Sequence, residues 1–133
     1  MKRDKNAEAV LILENDIDLA DSIRLYLEDS YRVYVTRHSS KLLRYITRYR
    51  IKLILTDVDT PSIDLQRQLA EIKSSNPDVK IMLMYMFFDE EGVSEKSLLQ
   101  SADDYISKPF DADVLKQKLD RLLNVKSTST LQN

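Results

Sequence analysis

Cysteine is absent from the 133 residues, glycine occurs once, as Gly92, and histidine once, as His38. Without cysteine there is neither a disulfide framework nor a thiolate metal site, a usage that fits a reducing cytoplasm. With one glycine no glycine-rich phosphate loop can form, so phosphate chemistry would rest on side chains, a metal or helix N-termini. His38 is expected in a loop just ahead of a helix and is assigned no chemistry. Long apolar runs are missing too. The opening MKRDKNAEAVLIL carries only five consecutive apolar residues before Glu14, too few for a signal peptide or a membrane span. A net charge of −2 makes no global case for nucleic acid.

What is present is ordinary for a soluble globular chain: 43% hydrophobic and 32% charged residues. Residues 1–125 are expected to form one domain with a core large enough to need no cross-links. The Ser/Thr-rich stretch 126–133 is expected to be a disordered tail or the start of a linker.

Apolar runs and helical stripes alternate along the chain. Ala9–Leu13 reads as a first strand, stopped by Glu14-Asn15-Asp16. Leu19, Ile23 and Leu27 form the buried stripe of a first helix, capped by Asp16 or Asp18. Tyr31–Thr36 reads as an edge strand, and Ser39 or Ser40 as the cap of a second helix with Leu42, Leu43 and Ile46 inward. The apolar run Leu53–Leu55 reads as the buried central strand, ending near Asp57. It is followed by a helix over Ile63–Ser74 with Leu65, Leu69 and Ile72 inward. Val79–Phe88, Gly92–Gln100, Ala102–Ser107 and a last helix from Asp111, with Val114, Leu115, Leu119 and Leu122 inward, complete the series. Five βα units in succession imply a parallel sheet covered by helices on both faces.

In such a sheet ligands gather at the carboxyl ends of the strands, near the point where strand order reverses. Glu14, Asn15 and Asp16 stand there from the first strand, Asp57 and Asp59 from the third, and Lys108 from the fifth. Clustered carboxylates repel unless a cation joins them, and an all-oxygen donor set favours Mg2+. A lysine point charge suits a phosphoryl oxygen. Together these parts describe metal-assisted phosphoryl transfer onto a carboxylate.

Three stretches carry a closer likeness: Val10-Leu11-Ile12-Leu13-Glu14-Asn15-Asp16; Leu53-Ile54-Leu55-Thr56-Asp57-Val58-Asp59-Thr60-Pro61; and Ala102-Asp103-Asp104-Tyr105-Ile106-Ser107-Lys108-Pro109-Phe110. Over nearly its whole length the chain resembles the receiver domain of two-component response regulators. The last stretch is the most specific. The resemblance implies a flavodoxin-like (βα)5 fold with sheet order 2-1-3-4-5. It implies that Asp57 accepts a phosphoryl group from a histidine kinase or phosphotransfer protein, and that the signal passes on through a downstream protein partner. Glu14 and Asn15 match the metal-binding acidic pair, and Asp59 the position that lends a backbone carbonyl to Mg2+. Lys108 matches the phosphoryl-contacting lysine, and Tyr105 the aromatic that reorients on activation. The bond before Pro109 is expected to be cis. Related domains often pair through the fourth helix, fifth strand and fifth helix, which makes a homodimer an expectation.

The sequence departs from that family at several positions. Asn15 replaces an acid, so Mg2+ is expected to bind weakly. Tyr85 stands where a Ser or Thr switch hydroxyl belongs, and Met86 replaces a small residue beside the acceptor. Ser62, Leu65 and Ser101 replace glycines. These departures set up the alternative of a degenerate receiver that docks partners without phosphorylation. A third reading is a haloacid-dehalogenase-like phosphatase using Asp57 and Asp59. It fits poorly, because Thr60 comes one position early and two βα units precede the motif. Finally, Arg37, Lys41, Arg44, Arg48, Arg50 and Lys52 occur with no acid among them. Lys41, Arg44 and Arg48 share one helix face, a possible docking surface for an acidic partner. Direct nucleic-acid binding is not the expectation, since no second domain is expected after Asn124.

Overall fold

The computed structural model describes residues 6–58, 63–86 and 102–125. The expected fourth helix, the tail, Phe87 and Phe88, and Asp59, Ser62 and Ser101 lie outside the described residues. The strands are β1 (Ala9–Leu13), β2 (Arg32–Thr36), β3 (Ile51–Asp57), β4 (Lys80–Tyr85) and β5 (Asp104–Ser107). The helices among the described residues are α1 (Ile17–Leu27), α2 (Leu42–Tyr49), α3 (Ile63–Ser75) and α4 (Ala112–Leu122). All strand pairs are parallel, in the order β2-β1-β3-β4-β5, which is the flavodoxin-like arrangement.

Side chains of a strand alternate between faces, and here both faces are covered. Leu11, Leu13, Ile54, Ile81 and Leu83 pack against Leu42 and Ile46 of α2 and Leu65, Leu69 and Ile72 of α3. Val10, Ile12, Leu53, Leu55, Met82 and Met84 pack against Ala20, Ile23 and Leu27 of α1 and Leu115 and Leu119 of α4. Each fully buried Leu or Ile contributes roughly 1.5–3 kcal/mol, which removes any need for a disulfide. The central strand has one irregularity. Ala9 pairs with Ile51 but Val10 pairs with Leu53, so Lys52 is the extra residue and points to solvent. That slip lets Ile51 and Ile54 share a face.

Local chemistry explains the element ends. The Asp16 carboxylate accepts from the Leu19 N–H to cap α1, and Asp111 accepts from the Asp113 N–H to cap α4. Helix α2 has no such cap: Ser39 and Ser40 form a 3-10 turn instead, and Lys41 precedes the helix without a side-chain bond. In a chain with one glycine, left-handed turns after helices fall to other residues, Arg50 (φ 55°) after α2 and Asn124 (φ 57°) after α4.

Two expected core residues, Leu43 and Val114, are instead 40% and 42% exposed. Each sits about 100° from a buried neighbour, Leu42 and Leu115, on a helix whose inward stripe is only two or three residues wide. Strand β5 starts at Asp104 rather than Ala102, because Asp103 turns its carboxylate back. That carboxylate accepts from the Ile81 N–H (2.8 Å) and from Lys73 Nζ (2.9 Å), pinning the start of β5 to β4 and α3.

Candidate functional site

The strand register decides which side chains meet. Leu13 pairs with Thr56 and Asp57 with Met84, so β1, β3 and β4 end at nearly one level. The Val58 N–H donates to the Met84 carbonyl (2.9 Å), fixing the chain just after Asp57. The Lys108 N–H donates to the Tyr85 carbonyl (2.6 Å), and the Lys108–Pro109 bond is cis, as the likeness implied. Lys108 is thereby held at the mouth of β4.

Its ammonium joins two carboxylates from different strands. Lys108 Nζ lies 2.6 Å from Asp57 Oδ1 and 3.0 Å from Glu14 Oε1. All three groups are withdrawn from water, with side-chain exposures of 11% for Lys108, 17% for Asp57 and 4% for Glu14. The second oxygen of Glu14 accepts from the Asp16 N–H (2.9 Å). Glu14 is therefore a fully engaged, buried anion, whereas Asp57 stands at the edge of solvent. Carboxylates this close in a shielded site are tolerable only because the lysine lies between them.

Asp57 opens onto a cavity of about 170 Å³ lined also by Leu13, Glu14, Asn15, Arg37, Ser39 and Leu65. Sequence reasoning brings Glu14, Asn15, Asp57 and Lys108 to one edge, where the structure joins Glu14, Asp57 and Lys108 and lines the same cavity with Asn15. It did not place Arg37 there, because Arg37 was grouped with the basic helix. Leu65, expected inward on its helix and standing where the likeness has a glycine, is buried as expected and also forms a bulky apolar wall of the cavity.

The oxygen donors Asp57, Glu14 and Asn15 are of the hard kind that suits Mg2+. Their charge is small, however. Among the described residues no three His, Cys, Asp or Glu side chains converge on one point, and Lys108 already holds an oxygen from each carboxylate. The donor set fits a hydrated cation such as Mg2+.

Tyr85 and Tyr105 stand apart from this cavity. Their rings lie 5.8 Å apart at 50°, and both line a second cavity of about 360 Å³ with Phe110, Pro109 and Val114. Tyr105 is 46% exposed, more open than a half-buried core aromatic. Lys41, just before α2, and Arg44 and Arg48 on α2 are exposed. The tyrosines between them are committed elsewhere. Tyr34 stacks on Tyr49 at 4.3 Å, Tyr45 sits 5.5 Å from Tyr49, and Arg48 Nε donates to the Tyr49 hydroxyl. Self-stacked rings are poor platforms for bases.

Residues 10–120 match the family described as response regulator receiver domain. The chain is 28% identical over 130 residues to the "Probable transcriptional regulator ycf29" of Pyropia yezoensis, covering 93% of this chain and 58% of that protein. It is 28% identical over 115 residues to the transcriptional regulatory protein ZraR of Escherichia coli K12, covering 86% of this chain and 26% of that one. The chain thus spans about half or less of these relatives' length. Among solved structures, the signal receiver domain of a signal transduction histidine kinase from Syntrophus aciditrophicus superimposes with a TM-score of 0.75 at 27% identity. That match covers 93% of this chain and 96% of the other.

Proposed function

The chain belongs to the response regulator receiver domain family, and from that premise we propose that Asp57 is its phosphoacceptor. The observation that carries the reading is the Lys108 ammonium shared between Asp57 and Glu14 at 2.6 and 3.0 Å. It supports a store of positive charge for an incoming phosphoryl group, and Asp57 is the more exposed of the two carboxylates that line the cavity, 17% against 4% for Glu14.

In the transfer, an Asp57 oxygen forms a bond to phosphorus while the donor's bond to phosphorus breaks, and the electron pair leaves with the donor. Lys108 is already within hydrogen-bond reach of Asp57 and can follow the charge onto the phosphoryl oxygens. Glu14 holds Lys108 in that position, and the Asp16 N–H holds Glu14. Mg2+ would be held by Asp57, Glu14 and Asn15, with the backbone carbonyl of Asp59 as a further ligand. When bound it supplies charge neutralisation of the phosphoryl oxygens. One acid short, the site binds it weakly.

Receiver domains in general are signalling modules rather than enzymes, and this one fits that role. The phosphoryl donor is a histidine kinase or phosphotransfer protein, and a downstream protein reads the result in the cytoplasm. Residues 1–125 are the receiver unit, with 126–133 as tail or linker. Pairing of two copies through the expected fourth helix, β5 and α4 is part of the same proposal. A second reading, a receiver that docks partners without phosphorylation, draws on Tyr85. It occupies the place of a small hydroxyl, and its ring lies against Tyr105. Exposed Lys41, Arg44 and Arg48 would then offer a docking face for an acidic partner.

Incubation with acetyl phosphate and Mg2+ followed by intact-mass measurement separates the two readings. A single phosphoryl adduct that disappears in Asp57→Ala supports the acceptor. No adduct on the unmodified protein across a wide Mg2+ range leaves the docking module.

A further inference from the structure

Resting on Asp57 as acceptor, the inference concerns a residue on the same cavity that makes no ion pair with any described residue. The Glu14 N–H donates to the Thr36 carbonyl (3.2 Å), so the end of β2 is fastened against the end of β1. Arg37 follows immediately and lines the Asp57 cavity together with Asn15 and Ser39. Arg37 is exposed and makes no hydrogen bond or ion pair with any described residue. Nearby anions do not claim it: Glu14 has one oxygen on Lys108 and the other on the Asp16 N–H.

A count of charge in the pocket gives this arginine meaning. Among the described residues at the pocket, the two acids Glu14 and Asp57 are matched in number by two cations, Lys108 and Arg37. A phosphoryl group on Asp57 converts that carboxylate to a neutral acyl oxygen and adds about two negative charges. The amide of Asn15 lowers the site's hold on a divalent cation that would offset them. A guanidinium, planar and always charged, is suited to phosphoryl oxygens.

We infer that Arg37 is a phosphoryl-binding residue of this site, supplying charge that weakened Mg2+ binding leaves unmet. Arg37 turns to the phosphoryl oxygens on the cavity side while Lys108 takes those on the β4 side. Phosphorylation should accordingly depend less on Mg2+ than the donor set alone would require.

The test uses the whole chain with acetyl phosphate, where the Asp57 oxygen displaces acetate from phosphorus and acetate leaves with the electron pair. Adduct formation is followed by intact mass from chelated to saturating Mg2+ in wild type, Arg37→Gln, Arg37→Lys, Asn15→Asp and the Asn15→Asp/Arg37→Gln pair, with thermal melts for each. At low Mg2+, Arg37→Gln should be slower by about tenfold, the scale of one charge-assisted contact, with Arg37→Lys in between. In the Asn15→Asp background at saturating Mg2+ the gap should shrink, because the restored acid strengthens the cation's share. If Arg37→Gln tracks labelled wild type at every Mg2+ concentration, Arg37 is a solvated side chain and only this inference falls. The same holds if it loses rate equally at all Mg2+ concentrations with a lowered melting point, which marks a structural role. If wild type is never labelled, the acceptor reading and this inference fall together.

Discussion

Lys108→Met removes the charge at the centre of the site while keeping most of the side chain's length, and its cost can be worked from the geometry. Two charge-assisted contacts, at 2.6 Å to Asp57 and 3.0 Å to Glu14, are lost. Hydrogen bonds to charged groups contribute about 1.5–3 kcal/mol each. Against this stands the desolvation of a lysine only 11% exposed, which the substitution relieves. The larger effect is what remains: Glu14, 4% exposed, and Asp57, 17% exposed, face each other with no cation between them. Breaking a buried pair by deleting one partner typically costs 3–5 kcal/mol. Partial access to water at Asp57 argues for the lower end, about 3 kcal/mol. At the unfolding entropy usual for a domain of this length, that lowers the melting midpoint by roughly 10 °C. Urea denaturation and thermal melts at neutral pH read it directly. Millimolar Mg2+ should return part of the lost stability, because a cation is then admitted between the two acids. A loss below about 1 kcal/mol would place Lys108 with ordinary surface ion pairs and refute the claim of a shielded, mutually dependent triad.

Further outcomes follow from Tyr31 and from Asn15. Tyr31, fully buried, donates its hydroxyl to Asp120, which is itself 4% exposed and also bound by Lys116 Nζ at 2.9 Å. Burial, then the bond to Asp120, raises the Tyr31 pKa well above its usual value. The folded state therefore keeps a proton that the unfolded chain releases above about pH 10, and this contribution to stability is lost as pH rises. Wild type should lose about 1.4 kcal/mol more per pH unit than Tyr31→Phe above that point. At pH 7 Tyr31→Phe should cost about 1–3 kcal/mol, since Asp120 is left short of a donor; parallel slopes in the alkaline range would remove the argument. Asn15→Asp should tighten Mg2+ binding by about tenfold or more in a calorimetric titration, from the added charge at the donor set. Unchanged affinity would mean that residue 15 is not a ligand.

Much of the fold could be read from the chain because its signals are local and redundant. The run Ala9–Leu13 is buried at every position, as a strand with helices on both faces requires. The convergence of Glu14, Asp57 and Lys108 was legible from parallel topology, which puts all carboxyl ends on one edge. Arg37 was not, because nothing local separates it from the cations that follow. Its place depends on the Glu14–Thr36 backbone bond, a contact between strands far apart in sequence. The missing cap on α2 escaped for the opposite reason: Ser39 and Ser40 look like caps, yet the chain tightens into a 3-10 turn there. Exposure of Leu43 and Val114 shows the limit of a periodicity argument, which locates a stripe but not its width.

The central claim is that Asp57 is the residue that carries the phosphoryl group. An acyl phosphate is reduced by borohydride to an alcohol, which converts the modified aspartate to homoserine, a change that peptide mass spectrometry locates to a single residue. After treatment with acetyl phosphate and Mg2+, homoserine is predicted at position 57. An unaltered Asp57, or homoserine at another carboxylate, would contradict it.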